Sequence, residues 1–361
     1  MSVSKLILPR GSVVNKRELP IILIIAISWT LIDLFLVRIS VLPYKYGNEI
    51  STNRAITLRE LNVFLLSFII GFLLVSVLRK YFHSSSLWIN LLFKTAILLL
   101  AAVIMNLFIY ISYELLIGGR TIDAAFNRFV VNTFRPEWAL PKMTEWVILF
   151  LLTQLALEIN EKYSPGVFVS IMAGRYLQPK EEERIILFLD LRNSTPIAEK
   201  LNHKYFQFIR DFIFCISAGI MEHHGRIYQY VGDEIVAWWP SSKENAKRAI
   251  QSLIESRKVI NTNTNVFSRN YDILPEYKAG MHVGKVTVGQ VGIAKKELVM
   301  SGDTINTASR IRSACTDLNQ KFLVSKDIID MLDLAEWQSE SMGMVDLKGK
   351  NEMMELFALK I

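Results

Sequence analysis

Two stretches decide the second half of this chain: "RIILFLDLRNST", Arg184–Thr195, and "YQYVGDEIVAWWP", Tyr228–Pro240. The first is an apolar, β-rich run that ends on Asp190 and passes into a small polar turn. The second sets Asp233 on a glycine between two runs of β-formers, the pattern of a tight hairpin. In a ferredoxin-like strand order these two segments are neighbours, which brings Asp190 and Asp233 to adjacent strand ends. Two carboxylates so placed can hold a pair of hard divalent cations, with phosphate oxygens and water completing octahedral shells. Asn193, Ser194 and Thr195 open toward a helix, where backbone N–H groups can cradle a triphosphate.

The segments between and after them alternate in type. Tyr205–His223 puts Phe206, Ile209, Phe212, Ile213, Ile216 and Ile220 on one helical face, and a second helix from about Lys243 turns Ala246, Ala249, Ile250, Leu253 and Ile254 inward. Then come two strands, "EYKAGMHVG" and "KVTVGQVG", read as a hairpin around Gly284. A helix from about Thr304 carries Asn306 and Arg310 on one face, an amide and a fixed-charge donor pointing the same way. Short strands around "KFLVS", "GMVDLKG" and "MELFALK" finish the chain. The order predicts an α+β fold, a βαββαβ core with extra strands and helices on its faces. Paired carboxylates with an Asn/Arg face point to metal-assisted phosphoryl transfer.

The first half is of another kind. The chain is 51% hydrophobic and 21% charged, and the apolar surplus lies before residue 160. Four stretches approach the roughly 20 apolar residues that a bilayer asks for, starting at Pro20, Leu61, Leu87 and Met143. They predict an all-α domain of four transmembrane helices over 1–159. No small-residue cleavage site follows the first stretch, so it is expected to stay as an anchor. Lys5, Arg10, Lys16 and Arg17, with Arg79 and Lys80 after the second stretch, place both termini in the cytoplasm, as in a multi-pass protein of the inner membrane facing lipid. Asp33 and Lys94 interrupt apolar stretches, where a charge marks a pair, an interface or a sensing site. A polar joint with Ser164, Pro165 and Gly166 makes 160–183 a transmission linker, and 184–361 the catalytic domain.

A net charge of +7 alone permits nucleic-acid binding, but the basic residues flank the apolar spans and no basic helix with interleaved aromatics stands out, so no nucleic acid is expected. Cys215 and Cys315, without metal-like spacing, read as small buried thiols in a reducing compartment.

Taken jointly, "FLDLRNST", "YVGDEIVAWW", "GMHVGKVTVGQVG" and "GDTINTASR", in that order and followed by "LKGK", resemble the class III adenylate/guanylate (nucleotidyl) cyclases of the membrane-anchored bacterial type. The resemblance covers about Arg184–Ile361. It implies that Asp190, Asp233 and the backbone carbonyl of Leu191 bind two Mg²⁺ or Mn²⁺ ions, that Asn306 orients the ribose, and that Arg310 stabilises the α-phosphate. Asn193, Ser194 and Thr195, with Lys350 or Lys348, would hold the outer phosphates of a nucleoside triphosphate. It further implies a homodimer, because in that family the metal side and the Asn/Arg side of one site come from different subunits.

The base-reading positions depart from the family. Where a lysine and an aspartate or threonine are usual, this chain has Gln229 and Val299. Gln229 both donates and accepts; Val299 offers only shape. ATP is the first expectation, with GTP, CTP and UTP left open. A diguanylate cyclase is disfavoured, because Val231 precedes Gly232 and "GDTINTASR" has no place in that family. A catalytically silent nucleotide-binding or dimerisation module would be expected to have lost Arg310 or a carboxylate, and all are present.

Overall fold

A computed structural model describes residues 14–39, 53–78, 87–116, 118–133, 136–162, 174–176, 178–293, 297–332, 339–350 and 352–361. Lys5, Arg10, Arg79, Lys80 and most of the anticipated linker, 163–173, lie outside these residues. The chain divides into two compact units, Val13–Glu161 and a second from Lys162 to Ile361.

The first unit is helical: α1 (Val14–Ile39), α2 (Asn53–Phe72) with a π-helical turn after it (Leu73–Leu78), α3 (Leu87–Leu116), α4 (Ile122–Thr133) and α5 (Pro136–Lys162). Ile22, Trp29, Ile70, Leu74, Leu98, Met105 and Phe150 form its core. Trp29 Nε1 donates to Thr153 Oγ1 at 3.0 Å, satisfying an indole N–H that burial would otherwise leave costly. Outward residues are apolar too, Ile24, Phe35, Leu92 and Leu100 among them, as they are when a helix faces something other than water. Among the described residues three helices are long and apolar enough to cross a membrane, over Glu18–Leu36, Ile56–Val77 and Leu91–Leu116. The fourth anticipated stretch is helical within α5 but is not among these three, and it carries Glu145, Gln154 and Glu158.

In the second unit the elements run β1 (Lys180–Leu191), α6 (Ser194–Leu201), α7 (Tyr205–Glu222), β2 (Arg226–Val231), β3 (Glu234–Pro240), α8 (Lys243–Thr262), α9 (Thr264–Tyr271), β4 (Tyr277–Val291), β5 (Glu297–Ser301), α10 (Asp303–Asp317), β6 (Phe322–Ser325), α11 (Lys326–Asp330), β7 (Ser339–Val345) and β8 (Met354–Leu359). The sheet order is β2-β3-β1-β4-β6-β8-β7, with β5 added to β4. Its first four strands have the ferredoxin-like order, and the βαββαβ core with extra strands is as the sequence predicts.

Both faces of the sheet are covered, so the centre of β1 is a continuous apolar run, Ile185–Leu189, rather than an alternation. Ile185, Leu187 and Leu189 pack with Phe212, Ile216, Ile250 and Leu253 of α7 and α8. Ile186 and Phe188 face the other way, toward Val236, Trp238, Met300 and Ala308. By the same period of two, Asp190 lies on the Ala308 face, the face that α10 covers.

Two expectations are corrected. "EYKAGMHVG" and "KVTVGQVG" are one strand, β4, paired with β1 from Tyr277 to Val288, with Gly284 opposite Arg184. Gly284 makes no turn. A Cβ there would lie 2.6 Å from Thr304 Oγ1, so the glycine admits the start of α10 against the strand. The hairpin runs instead from β4 to β5. Phe206 is the second correction: it is 79% exposed in the first turn of α7, and Phe208 takes the inward place.

Candidate active site

Asp190 is the last residue but one of β1 and is paired in register with Glu234, the first residue of β3. Residues directly opposite on neighbouring strands share a face, so both carboxylates point at α10. Arg312 of that helix answers them: Nη1 donates to Asp190 Oδ2 at 3.1 Å, and Nη2 donates to Glu234 Oε2. Lys278 on β4, opposite Asp190 in register, approaches Asp190 Oδ2 to 3.5 Å. Asp233 sits at the β2–β3 turn, after Gly232 at φ +62°, a left-handed conformation that glycine adopts without strain.

The turn delivers Asp233 to Asp190. Burial chiefly, with the nearby Asp233 charge, pushes the Asp190 carboxyl above its ordinary range, against the pull of Arg312 and Lys278. Tyr205, at the start of α7, joins the group. Burial chiefly, with the Asp233 and Asp190 charges, raises the pKa of its phenol, against an opposing influence of Ser194. Asn193 caps α6 in the left-handed region at φ 56°, turning the chain so that Ser194 and Thr195 open that helix.

One atom is left over. Asp233 Oδ2 is buried and has no hydrogen-bond partner. An unpaired buried carboxylate oxygen is costly, and a cation is the partner that removes the cost. The donor set suits a hard divalent ion bound by two carboxylates with its remaining ligands from substrate and water. Among the described residues no cluster of three or more His, Cys, Asp or Glu side chains stands ready to hold a metal. Leu191, whose backbone carbonyl is the third expected metal ligand, follows Asp190 as the last residue of β1.

Asn306 and Arg310 form a second group. They share the outer face of α10, Asn306 exposed and Arg310 half-buried. The turn bearing Lys348, Gly349 and Lys350 lies against Arg310: a Cβ on Gly349 would come 3.3 Å from Arg310 Nη2. Lys350 Nζ pairs with Asp303 Oδ2 at 3.0 Å, and this hydrogen bond holds the Asp303 carboxyl below its ordinary range. Lys348 is exposed.

These two groups do not meet within one chain. Arg310 and Arg312 are two residues apart, about 200° around a helix. Arg312 is turned to its own Asp190, so Arg310 is turned away from it. Gln229 is exposed on β2 and Val299 is half-buried on β5. Their strands touch, since Met300 N donates to Tyr228 Oη at 3.0 Å.

Arg312, Glu234, Lys278 and Tyr205 were not singled out in the sequence. The available signal was the spacing "RIR", Arg310–Arg312: of two arginines so placed, one must face the sheet when the other faces out.

Residues 177–360 match the family described as the adenylate and guanylate cyclase catalytic domain. The chain belongs to that family. It is 28% identical over 238 residues to adenylate cyclase 2 of Rhizobium meliloti (strain 1021), a match spanning 64% of this chain and 65% of that protein. Over 229 residues it is 26% identical to an adenylate cyclase of Anabaena cylindrica, covering 59% of this chain and 45% of that one. Both matches span less than two thirds of the relative. A solved bacterial light-regulated adenylyl cyclase shares the fold at TM-score 0.53 and 20% identity, over 60% of this chain and 63% of its own.

Proposed function

We propose that the chain is a membrane-held nucleotidyl cyclase that converts a nucleoside triphosphate, ATP first, to its 3′,5′-cyclic monophosphate and pyrophosphate, as a homodimer with two equivalent sites. The observation that carries this reading is the arrangement of α10. It presents Arg312 to its own carboxylates and Arg310 away from them, so an Asp190/Asp233 group and an Asn306/Arg310 group can work on one substrate only across two copies. Exposed Phe214, Tyr230 and Val231, with Ser217 Oγ and Tyr230 Oη 3.0 Å apart, give α7 and β2 an apolar surface beside the Asp233 turn for the second copy to cover.

In this reading Asp190, Asp233 and the Leu191 carbonyl hold two Mg²⁺ or Mn²⁺ ions. The ions supply charge neutralisation at the phosphates and a lowered pKa at the ribose 3′-hydroxyl. Asn306 of the second copy orients the ribose and Arg310 takes up charge at the α-phosphate, donors fixed before the reaction begins. Asn193, Ser194, Thr195, Lys350 and Lys348 serve the outer phosphates. Gln229 and Val299, on touching strands, face the base. The spans hold 1–159 in the inner membrane with the catalytic domain, 184–361, on the cytoplasmic side and 160–183 as the joint.

Gln229 and Val299 also support a second reading, a cyclase of another base preference. A contact made by shape alone discriminates by roughly 10 to 200, where a site that hydrogen-bonds the base reaches about 10⁴. The test is full-length protein in membranes with ATP, GTP, CTP or UTP and Mn²⁺. Cyclic AMP formed by the parent and lost in Asp190→Asn and Asp233→Asn supports the reading; preference for CTP or UTP removes the ATP assignment, and no cyclic product from any of the four removes the activity.

A further inference from the structure

In the helical unit Asp33 of α1 and Arg59 of α2 form a two-pronged ion pair, Nε to Oδ2 at 2.8 Å and Nη2 to Oδ1 at 2.9 Å. Both lie in segments apolar enough to cross a membrane, where a retained charge marks a site more often than it serves stability. The surroundings are acidic. Glu60 lies in the field of Asp33 and Arg59, and Glu145 in that of Arg59, so the ion pair is set among further carboxylates.

Beside the pair is a cavity of about 50 Å³ lined by Asp33, Glu145, Ser67, Trp29, Trp146 and Phe150, with aliphatic neighbours. Ser67 points independently to a ligand. It is wholly buried, it lines the cavity, and its Oγ has no hydrogen-bond partner. A helical hydroxyl ordinarily donates back to the carbonyl four residues earlier, as Thr30, Ser112 and Thr153 do in this same unit.

The walls select the sign of the guest. Trp29 and Trp146 both pack on Phe150, with centroids 5.0 and 5.8 Å apart, and aromatic faces attract cations. The Trp29 N–H is already given to Thr153. Carboxylate and hydroxyl oxygens are therefore what the lining offers, and a carboxylate bound by arginine keeps lone pairs for further donors. A water needs about 10–15 Å³ of such space, so the cavity has room for a guest of a few heavy atoms.

We infer that this cavity binds a small ammonium-type cation, its N–H groups donating to Asp33, Glu145 and Ser67 and its charge resting against the two tryptophans. The site is independent of the proposed cyclase activity and is tested without it. Full-length protein in lipid nanodiscs is titrated with methylammonium chloride, replacing sodium chloride at constant ionic strength, and the unfolding midpoint is followed.

The site predicts a saturable rise for methylammonium, none for tetramethylammonium, which has no N–H to donate, and none for potassium. Glu145→Gln and Ser67→Ala each raise the half-saturating concentration about tenfold or more, the scale of a lost hydrogen bond to a charged group. The inference is overturned by the absence of a saturable shift in the parent, by an equal shift with tetramethylammonium or potassium, or by unchanged half-saturation in Ser67→Ala. The parent's discrimination between these cations stands as a test even where a variant fails to fold.

Discussion

Arg312 Nη1 lies 3.1 Å from Asp190 Oδ2, and the same guanidinium reaches Glu234. That contact orients α10, and through α10 it sets where Arg310 points. It also supplies the positive charge that makes a buried carboxylate group tolerable before any ligand arrives.

A pH dependence follows. Burial raises the Asp190 carboxyl and Asp233 adds to the rise, while Arg312 opposes both. Removing the opposing charge raises that carboxyl further, so at a given pH less of it is ionised. Arg312→Met is expected to move the acid limb of the pH–activity profile to higher pH, and Arg312→Lys to move it less. A limb that shifts to lower pH in Arg312→Met contradicts this account.

Gly280 governs how closely α10 sits on the sheet. A Cβ there would lie 2.1 Å from Arg312 N and 2.6 Å from its Cα, backbone atoms that cannot step aside. Gly280→Ala is expected to cost about 3 kcal/mol or more, the upper range for overpacking, and to abolish cyclase activity by displacing Arg312 and Arg310 together. Gly289→Ala, whose Cβ would meet Pro179 at 3.3 Å, should cost visibly less. Thermal unfolding of the two variants side by side checks the order.

The thiols should be inert. Burial pushes Cys215 up to about 12 and Cys315 up to about 11. At pH 8 a thiol of pKa 11 is thiolate in roughly one part in 10³, and the thiolate is the reacting form. A disulfide reagent at pH 8 is expected to leave both cysteines of the native chain unmodified and to label both once the chain is denatured. Rapid labelling of the native protein would show that this core is open.

Much of the catalytic unit is legible in the sequence because its signals are local. Asp190 follows an apolar run, Asp233 a Gly turn, and Asn306 and Arg310 stand one helical turn apart. What stays hidden depends on partners distant in the chain. Gly284 looks like a turn until Thr304 is seen to press against it. Phe206 continues a helical stripe, yet in the first turn of α7 it stays exposed while Phe208 turns inward. Arg312 needs Asp190 and Glu234, brought from two strands far back in sequence, before it has a role. Asp33 is conspicuous as a charge in an apolar stretch, whereas Arg59 becomes its partner only when α1 and α2 are set side by side.

The central claim, that one site needs two copies of the chain, is tested most directly by complementation. Arg310→Ala is expected to lower cyclic nucleotide formation by about 10²–10³ or more, the scale for loss of a fixed transition-state donor, and Asp190→Asn, which removes a metal-binding carboxylate, to lower it at least as far. Expressed together in equal amounts they should recover about a quarter of the parent rate, since about half of randomly formed dimers hold one copy of each and such a dimer has one intact site of two. Mixed expression that stays as inactive as either variant alone, with both chains present in the membrane, would contradict the shared site.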